Sequence, residues 1–164
     1  MRRTRPKLRA ATTAATSAAL LAGTVALAPG AIAVSPTTAT AYYDCGTWGS
    51  TILTLNAAQY GTTATITLGS SDMVAPIAIP ENTTNAVLRL ERNGGPDTTL
   101  FTGQTNPPVP AGSPIELGPL IGTVAPGDSL DSYVGGDSLS FVIFGISVRC
   151  AAMTKQSPGP FVFD

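Results

Sequence analysis

Residues Thr62 to Leu68 read TTATITL. Apolar and polar side chains alternate with a period of two, the signature of a strand that buries one face. Ala64, Ile66 and Leu68 fall on one side and threonines on the other. The same pattern recurs on both sides of this segment. Upstream, Thr51–Leu55 (TILTL) is a short β-branched run. Downstream, Gly69-Ser70-Ser71-Asp72 reads as a turn, and Met73–Ile79 holds Pro76, which suits an edge strand or a bulge. Thr84–Arg92 (TNAVLRLER) places Ala86, Leu88 and Leu90 inward, with Val87, Arg89 and Glu91 outward. Asn93-Gly94-Gly95-Pro96 turns the chain, and Thr98–Thr102 pairs back as a hairpin.

A long crossover loop is expected over residues 103–114, which carry Pro107, Pro108, Pro110 and Pro114. Ile115–Val124 is broken by Gly118-Pro119 into two short strands or one kinked strand. Pro126-Gly127-Asp128 turns again, and Ser129–Val134 and Leu139–Val148 flank Gly135-Gly136-Asp137. The tail around Phe161-Val162-Phe163 can pair as a final edge segment. No helical period of useful length follows residue 41. Seven to nine short strands with turn signals between them predict an all-β fold, an antiparallel β-sandwich.

Leu139–Val148 (LSFVIFGISV) is the most apolar of these runs and reads as one central strand. Leu139, Phe141 and Ile143 supply one side; Val142, Phe144 and Ile146 supply the other. The outer face of a two-layer sandwich is normally wet. Val142, Phe144 and Ile146 therefore form a candidate interaction or homodimer patch, unless the tail Phe161-Val162-Phe163 packs over them.

Cys45 and Cys150 are the only cysteines, and they bracket nearly all of the strand-rich region. That placement predicts one disulfide and an oxidising compartment. The N-terminus agrees. Arg2, Arg3, Arg5, Lys7 and Arg9 precede a weakly apolar run over residues 18–28 (AALLAGTVALA), and Pro29-Gly30 ends it. This is the layout of a secretory signal peptide. Ala31-Ile32-Ala33 and Ala39-Thr40-Ala41 both fit the small-x-small cleavage rule, the first preferred for its shorter spacer. Residues 1–33 are then signal, 34–41 a flexible lead-in and 42–164 the folded domain. The Arg2-Arg3 pair suits twin-arginine export less well than the general route, because Pro6 stands where apolar residues are wanted.

Once the signal is removed, Arg89, Arg92, Arg149 and Lys155 face all ten acidic residues, a net charge of −6. That argues against nucleic-acid and anionic-lipid partners. The chain has no histidine, which removes the commonest general base and metal ligand. Lys155 is the only lysine outside the signal, and no G-x-S-x-G elbow occurs. Glu81, Glu91 and Glu116 are dispersed beside turns or on polar faces. Asp128, Asp131 and Asp137 surround a Gly-Gly turn without calcium-loop spacing, and suit turn capping. Tyr42, Tyr43 and Trp48 cluster at the domain start. They are read either as packing residues or as a platform that stacks on sugar rings.

Tyr43-Asp44-Cys45 and Ser147-Val148-Arg149-Cys150, with the Ala/Thr-rich leader and the run Val109-Pro110-Ala111-Gly112-Ser113-Pro114, resemble small secreted actinobacterial β-sandwich domains of unknown function. The resemblance covers about residues 42–163 and implies an immunoglobulin-like fold and no activity. The cysteine layout is also similar to some bacterial cellulose-binding modules, which present several surface tryptophans where this chain has only Trp48. Secreted chromoprotein carriers share the size and the expected fold but carry two disulfides. The expectation is a secreted or cell-wall-associated, non-catalytic interaction or structural module without cofactor or metal. It has no membrane span after signal removal, and its partner is a protein or glycan of the cell envelope. A carbohydrate-binding module is the alternative.

Overall fold

The structure, a computed structural model, describes residues 34–164. The TTATITL run lies in β3 (Thr63–Val74), whose Ala64, Ile66 and Leu68 are almost fully buried, as the alternation requires. The other strands are β1 (Thr38–Asp44), β2 (Ser50–Tyr60), β4 (Asn85–Arg92), β5 (Thr98–Gly103), β6 (Pro114–Thr123), β7 (Ser129–Ser132), β8 (Asp137–Ile143), β9 (Ile146–Ala152) and β10 (Phe161–Val162). Ala86, Leu88 and Leu90 of β4 point inward with no more than 1% exposure. Burying each such leucine contributes about 1.5–3 kcal/mol.

The strands do not form an immunoglobulin-like sandwich. Neighbours run β4-β5-β6-β3-β2-β1-β9-β8, and β8 pairs back with β4 through Asn85↔Val142 to Leu88↔Leu139. The sheet therefore closes into an antiparallel barrel of eight strands, while β7 and β10 extend it beside the far half of β4. Closure is legible only in long-range pairing. Period-two alternation says that one face of each strand is buried and is the same for a barrel and a sandwich. Small residues (Ala39, Ala41, Ala57, Ala64, Ala86) sit among Leu55, Ile66, Leu88 and Phe101 in the interior, the mixture a narrow closed sheet needs.

Two seams are thin. β5 meets β6 only at Thr102↔Ile121, where the Phe101 ring lies against Gly122; a Cβ on that glycine would come within 2.7 Å of the ring. β1 meets β9 only at Tyr43↔Ala152 and Asp44↔Ala151, and the Cys45–Cys150 disulfide ties the strands there.

Several local expectations change. Gly69-Ser70-Ser71-Asp72 is not a turn. Ser70 pairs with Leu53, its hydroxyl lies 2.6 Å from Thr51 Oγ1 inside the barrel, and the irregularity appears as a shift in pairing between Gly69 and Val74. Ile115–Thr123 lies in one strand, β6, which contains the cis Gly118-Pro119 bond, the second of the two expected readings. Leu139–Val148 is not one central strand but a hairpin. Phe144 and Gly145 take left-handed φ values of 52° and 75°, and the chain reverses between Ile143 and Ile146. Residues 34–41 are not a flexible lead-in. Val34 is 4% exposed, Ser35 exchanges hydrogen bonds with Val162, and β1 begins at Thr38. The folded domain thus starts before residue 42. The expected signal peptide, residues 1–33, lies outside the described residues. Among the described residues no helix is long and apolar enough to cross a membrane.

Candidate functional site

One end of the barrel carries a cavity. β1 ends at Asp44, and the chain makes a single 3₁₀ turn over Gly46–Trp48 before β2 starts at Ser50. Gly46 N–H donates to Asp44 Oδ1 at 2.9 Å, and Cys45 N–H to the Gly49 carbonyl at 2.9 Å, which fixes the turn and the base of Trp48. Opposite lie the end of β3, the start of β6 and the tip of the β8–β9 hairpin. Trp48, Asp72, Val74, Ile115, Phe141 and Phe144 line a cavity of about 270 Å³ between these elements. Trp48, Val74 and Phe144 are each nearly half exposed at its rim, whereas Phe141 is buried.

Phe144 is the unusual member. A bulky residue at positive φ is an outlier, and two-residue hairpin turns of this hand favour Asn-Gly or Asp-Gly. Gly145 meets that requirement; Phe144 does not. The barrel thus carries a local cost to hold an aromatic ring at the pocket edge.

The expected aromatic platform does not assemble. Tyr43 is fully buried in the barrel. Burial pushes its phenol up to about 12, with Asp131 adding to the rise; Ser132 and Ser138, which pull the other way, lie nearby, but the phenol oxygen has no hydrogen-bond partner. Tyr42 is 43% exposed but lines a separate shallow depression with Ile52, Lys155 and Ser157. Trp48 alone reaches the pocket. The patch residues fare differently. Val142, Phe144 and Ile146 are 41%, 46% and 49% exposed. The tail does not cover them: β10 pairs with β7, and Phe161 and Phe163 are buried in the core.

Comparison of the chain with protein families, with curated proteins and with solved structures yields no match. The site is therefore read from its own chemistry.

Asp128, Asp131 and Asp137 engage local partners. Asp128 accepts from Ala125 N–H at 2.8 Å and pairs with Arg92; Asp131 accepts from Ser132 and Gln156 N–H; Asp137 pairs with Arg149 at the surface. Lys155 is held by Glu91 and the Ser132 carbonyl. Among the described residues no group of three or more Cys, Asp or Glu is placed to hold a metal ion. Asp72 is the one acid in the pocket wall, near Thr51 and Ser71 hydroxyls. Sequence reasoning missed Val74 and Ile115 as pocket residues. The only available signal was the apolar excess of Met73–Ile79, which exceeds what an edge strand needs to bury.

Proposed function

We propose that this protein is a secreted, non-catalytic interaction module that holds an apolar group of an envelope or extracellular protein in the pocket at this end of the barrel. One observation carries the reading: Phe144 is exposed, conformationally costly and placed at the rim of an apolar cavity that also holds Trp48. A residue that stabilises neither the turn nor the core fully is best accounted for by contact with something outside the chain. The lack of histidine and the separation of Glu81, Glu91 and Glu116 onto different elements support a role without catalysis. The disulfide supports an oxidising, extracellular setting.

Carbohydrate binding is the second reading, favoured by one exposed tryptophan ring with the Asp72 carboxylate in the same pocket. Pull-downs of the mature protein on cellulose, chitin and peptidoglycan, run beside solubilised envelope protein, separate the two. Retention on envelope protein that is lost in Trp48→Ala and Phe144→Asn supports the first reading. Retention on a glycan that is lost in Trp48→Ala selects the second.

A further inference from the structure

β9 is paired along its whole length on one side only. It meets β8 from Ile143↔Ile146 to Asp137↔Ala151, but meets β1 only at Ala151 and Ala152. Two hydrogen bonds near its end fix which way its backbone groups point. Ala152 N–H donates to Ser138 Oγ on β8 at 2.7 Å, and Met153 N–H donates to the Tyr42 carbonyl on β1 at 2.8 Å. Backbone groups alternate sides along a strand. Ile146, Val148 and Cys150 therefore face β8, while Ser147 and Arg149 direct their N–H and C=O groups to the other edge. Continuing β1 would meet them, but the chain has turned away into Gly46–Trp48. That turn closes its bonds on itself, Trp48 N–H to Cys45 and Gly49 N–H to Gly46. Among the described residues, Ser147 and Arg149 find no backbone partner across this edge, and both are exposed.

An edge with successive unpaired donors and acceptors is a template for one more strand. The apolar pocket opens beside it. Trp48 sits in the turn that packs against β9, Phe144 sits at the tip from which β9 starts, and both line the cavity. Main-chain pairing that supplies affinity, with a neighbouring pocket that supplies specificity, is the physics of strand addition.

We propose that the Ile146–Arg149 edge and the pocket together form a strand-addition site for an extended peptide segment of a protein partner. The segment pairs with Ser147 and Arg149 and seats one large apolar side chain against Trp48 and Phe144. This rests on the pocket reading above and adds the class of partner. A glycan or a lipid does not present N–H and C=O groups at the two-residue repeat of about 7 Å that this edge demands.

The probe is a phage-displayed library of short linear peptides selected on the mature, disulfide-bonded protein, with the enriched peptides made synthetically. The expected peptides share one large apolar residue without proline beside it, and their binding shifts the emission of Trp48. Ser147→Pro removes an N–H that the fold does not use and blocks pairing at the edge. Its melting temperature should match the wild type while peptide affinity falls about tenfold or more. Equal affinity in Ser147→Pro, with loss in Phe144→Asn, overturns strand addition and leaves the pocket reading standing. Equal affinity in both variants overturns both. Failure to enrich any linear peptide overturns strand addition. So does a dimer in light scattering that Ser147→Pro converts to monomer, because the edge then belongs to a second copy. Should Ser147→Pro unfold, N-methylation along the bound peptide decides: losses at every second residue support the proposal, and uniform tolerance overturns it.

Discussion

Phe144→Asn tests whether the ring at the hairpin tip serves the fold or something outside it. Two effects oppose each other. The ring is 46% exposed; about half of a side chain of roughly 200 Å² is buried, so about 100 Å² of apolar contact is lost. At about 25 cal/mol per Å² that is about 2.5 kcal/mol, an upper estimate because unfolded chains already bury some surface. Against this, a bulky residue at a φ of 52° costs about 1–2 kcal/mol that asparagine largely avoids. The net change should be a loss of about 0.5–1.5 kcal/mol, a shift of a few degrees in melting temperature. A fully buried phenylalanine such as Phe101 should cost about 3–5 kcal/mol on truncation. Urea unfolding supplies the assay, and Trp48 is the only tryptophan, so its emission reports both on unfolding and on the pocket that it lines. A loss above about 3 kcal/mol would place Phe144 in the core and refute the argument from strain and exposure.

On the proposed export, N-terminal sequencing of chain recovered from the culture medium should start at Val34; a start at Tyr42 would discard the first four residues of β1 and the buried Val34, and would contradict the barrel. Cys150→Ala should cost roughly 2–5 kcal/mol in chemical denaturation, since the bond closes a sequence separation of 105 residues at a seam with only two strand pairs; two alkylatable thiols in the native protein would refute the linkage. Gly122→Ala should cost about 1–3 kcal/mol by driving a methyl group into the Phe101 ring, and a neutral result would refute close packing at the β5–β6 seam. Tyr43 makes stability fall with alkali. Its phenol ionises near 10 in the unfolded chain and at about 12 in the fold, so stability is unaffected below pH 10 and drops by roughly 2–3 kcal/mol as pH rises through 12. Tyr43→Phe should lose that component, measured as the difference in urea midpoint between pH 9 and pH 11.5.

What could be read from the sequence was the face of each strand, and the limits of that reading are physical. Ala64, Ile66 and Leu68, then Ala86, Leu88 and Leu90, and the pairing of Cys45 with Cys150 all follow from local pattern or elimination. Barrel closure rests on Asn85↔Val142 to Leu88↔Leu139, contacts between residues more than fifty positions apart that leave no local trace. The turn at Phe144-Gly145 was hidden for a different reason. Its first position carries an aromatic where Asn or Asp would have announced it, so the two strands of a hairpin merged into one apolar run. The exposed faces of Val142, Phe144 and Ile146 were visible as an excess of apolar residues, but the meeting of Phe144 with Trp48 depended on the turn. Tyr42 and Tyr43 show the converse. Adjacency in a strand sends neighbours to opposite faces, so one of the pair had to leave any shared platform.

The disulfide links these observations. Cys45 is the last residue before the chain turns away from β9, and Cys150 lies just before the two residues of β9 that still pair with β1. The bond therefore fixes the point where the seam stops. On one side of it β1 and β9 complete the barrel; on the other, β9 runs from Arg149 back to Ile146 paired only with β8, while the diverted chain carries Trp48 to the pocket. Without such a clasp, a seam of two pairs would open along its length, and an unpaired edge would be a liability for aggregation instead of a defined surface. With the clasp the open stretch is short, flanked by the exposed Arg149–Asp137 ion pair at one end and by the Phe144 rim at the other. Charge at an edge discourages indiscriminate pairing. On the strand-addition proposal, the same features that keep the barrel closed limit what docks at this edge to a short extended segment with an apolar side chain.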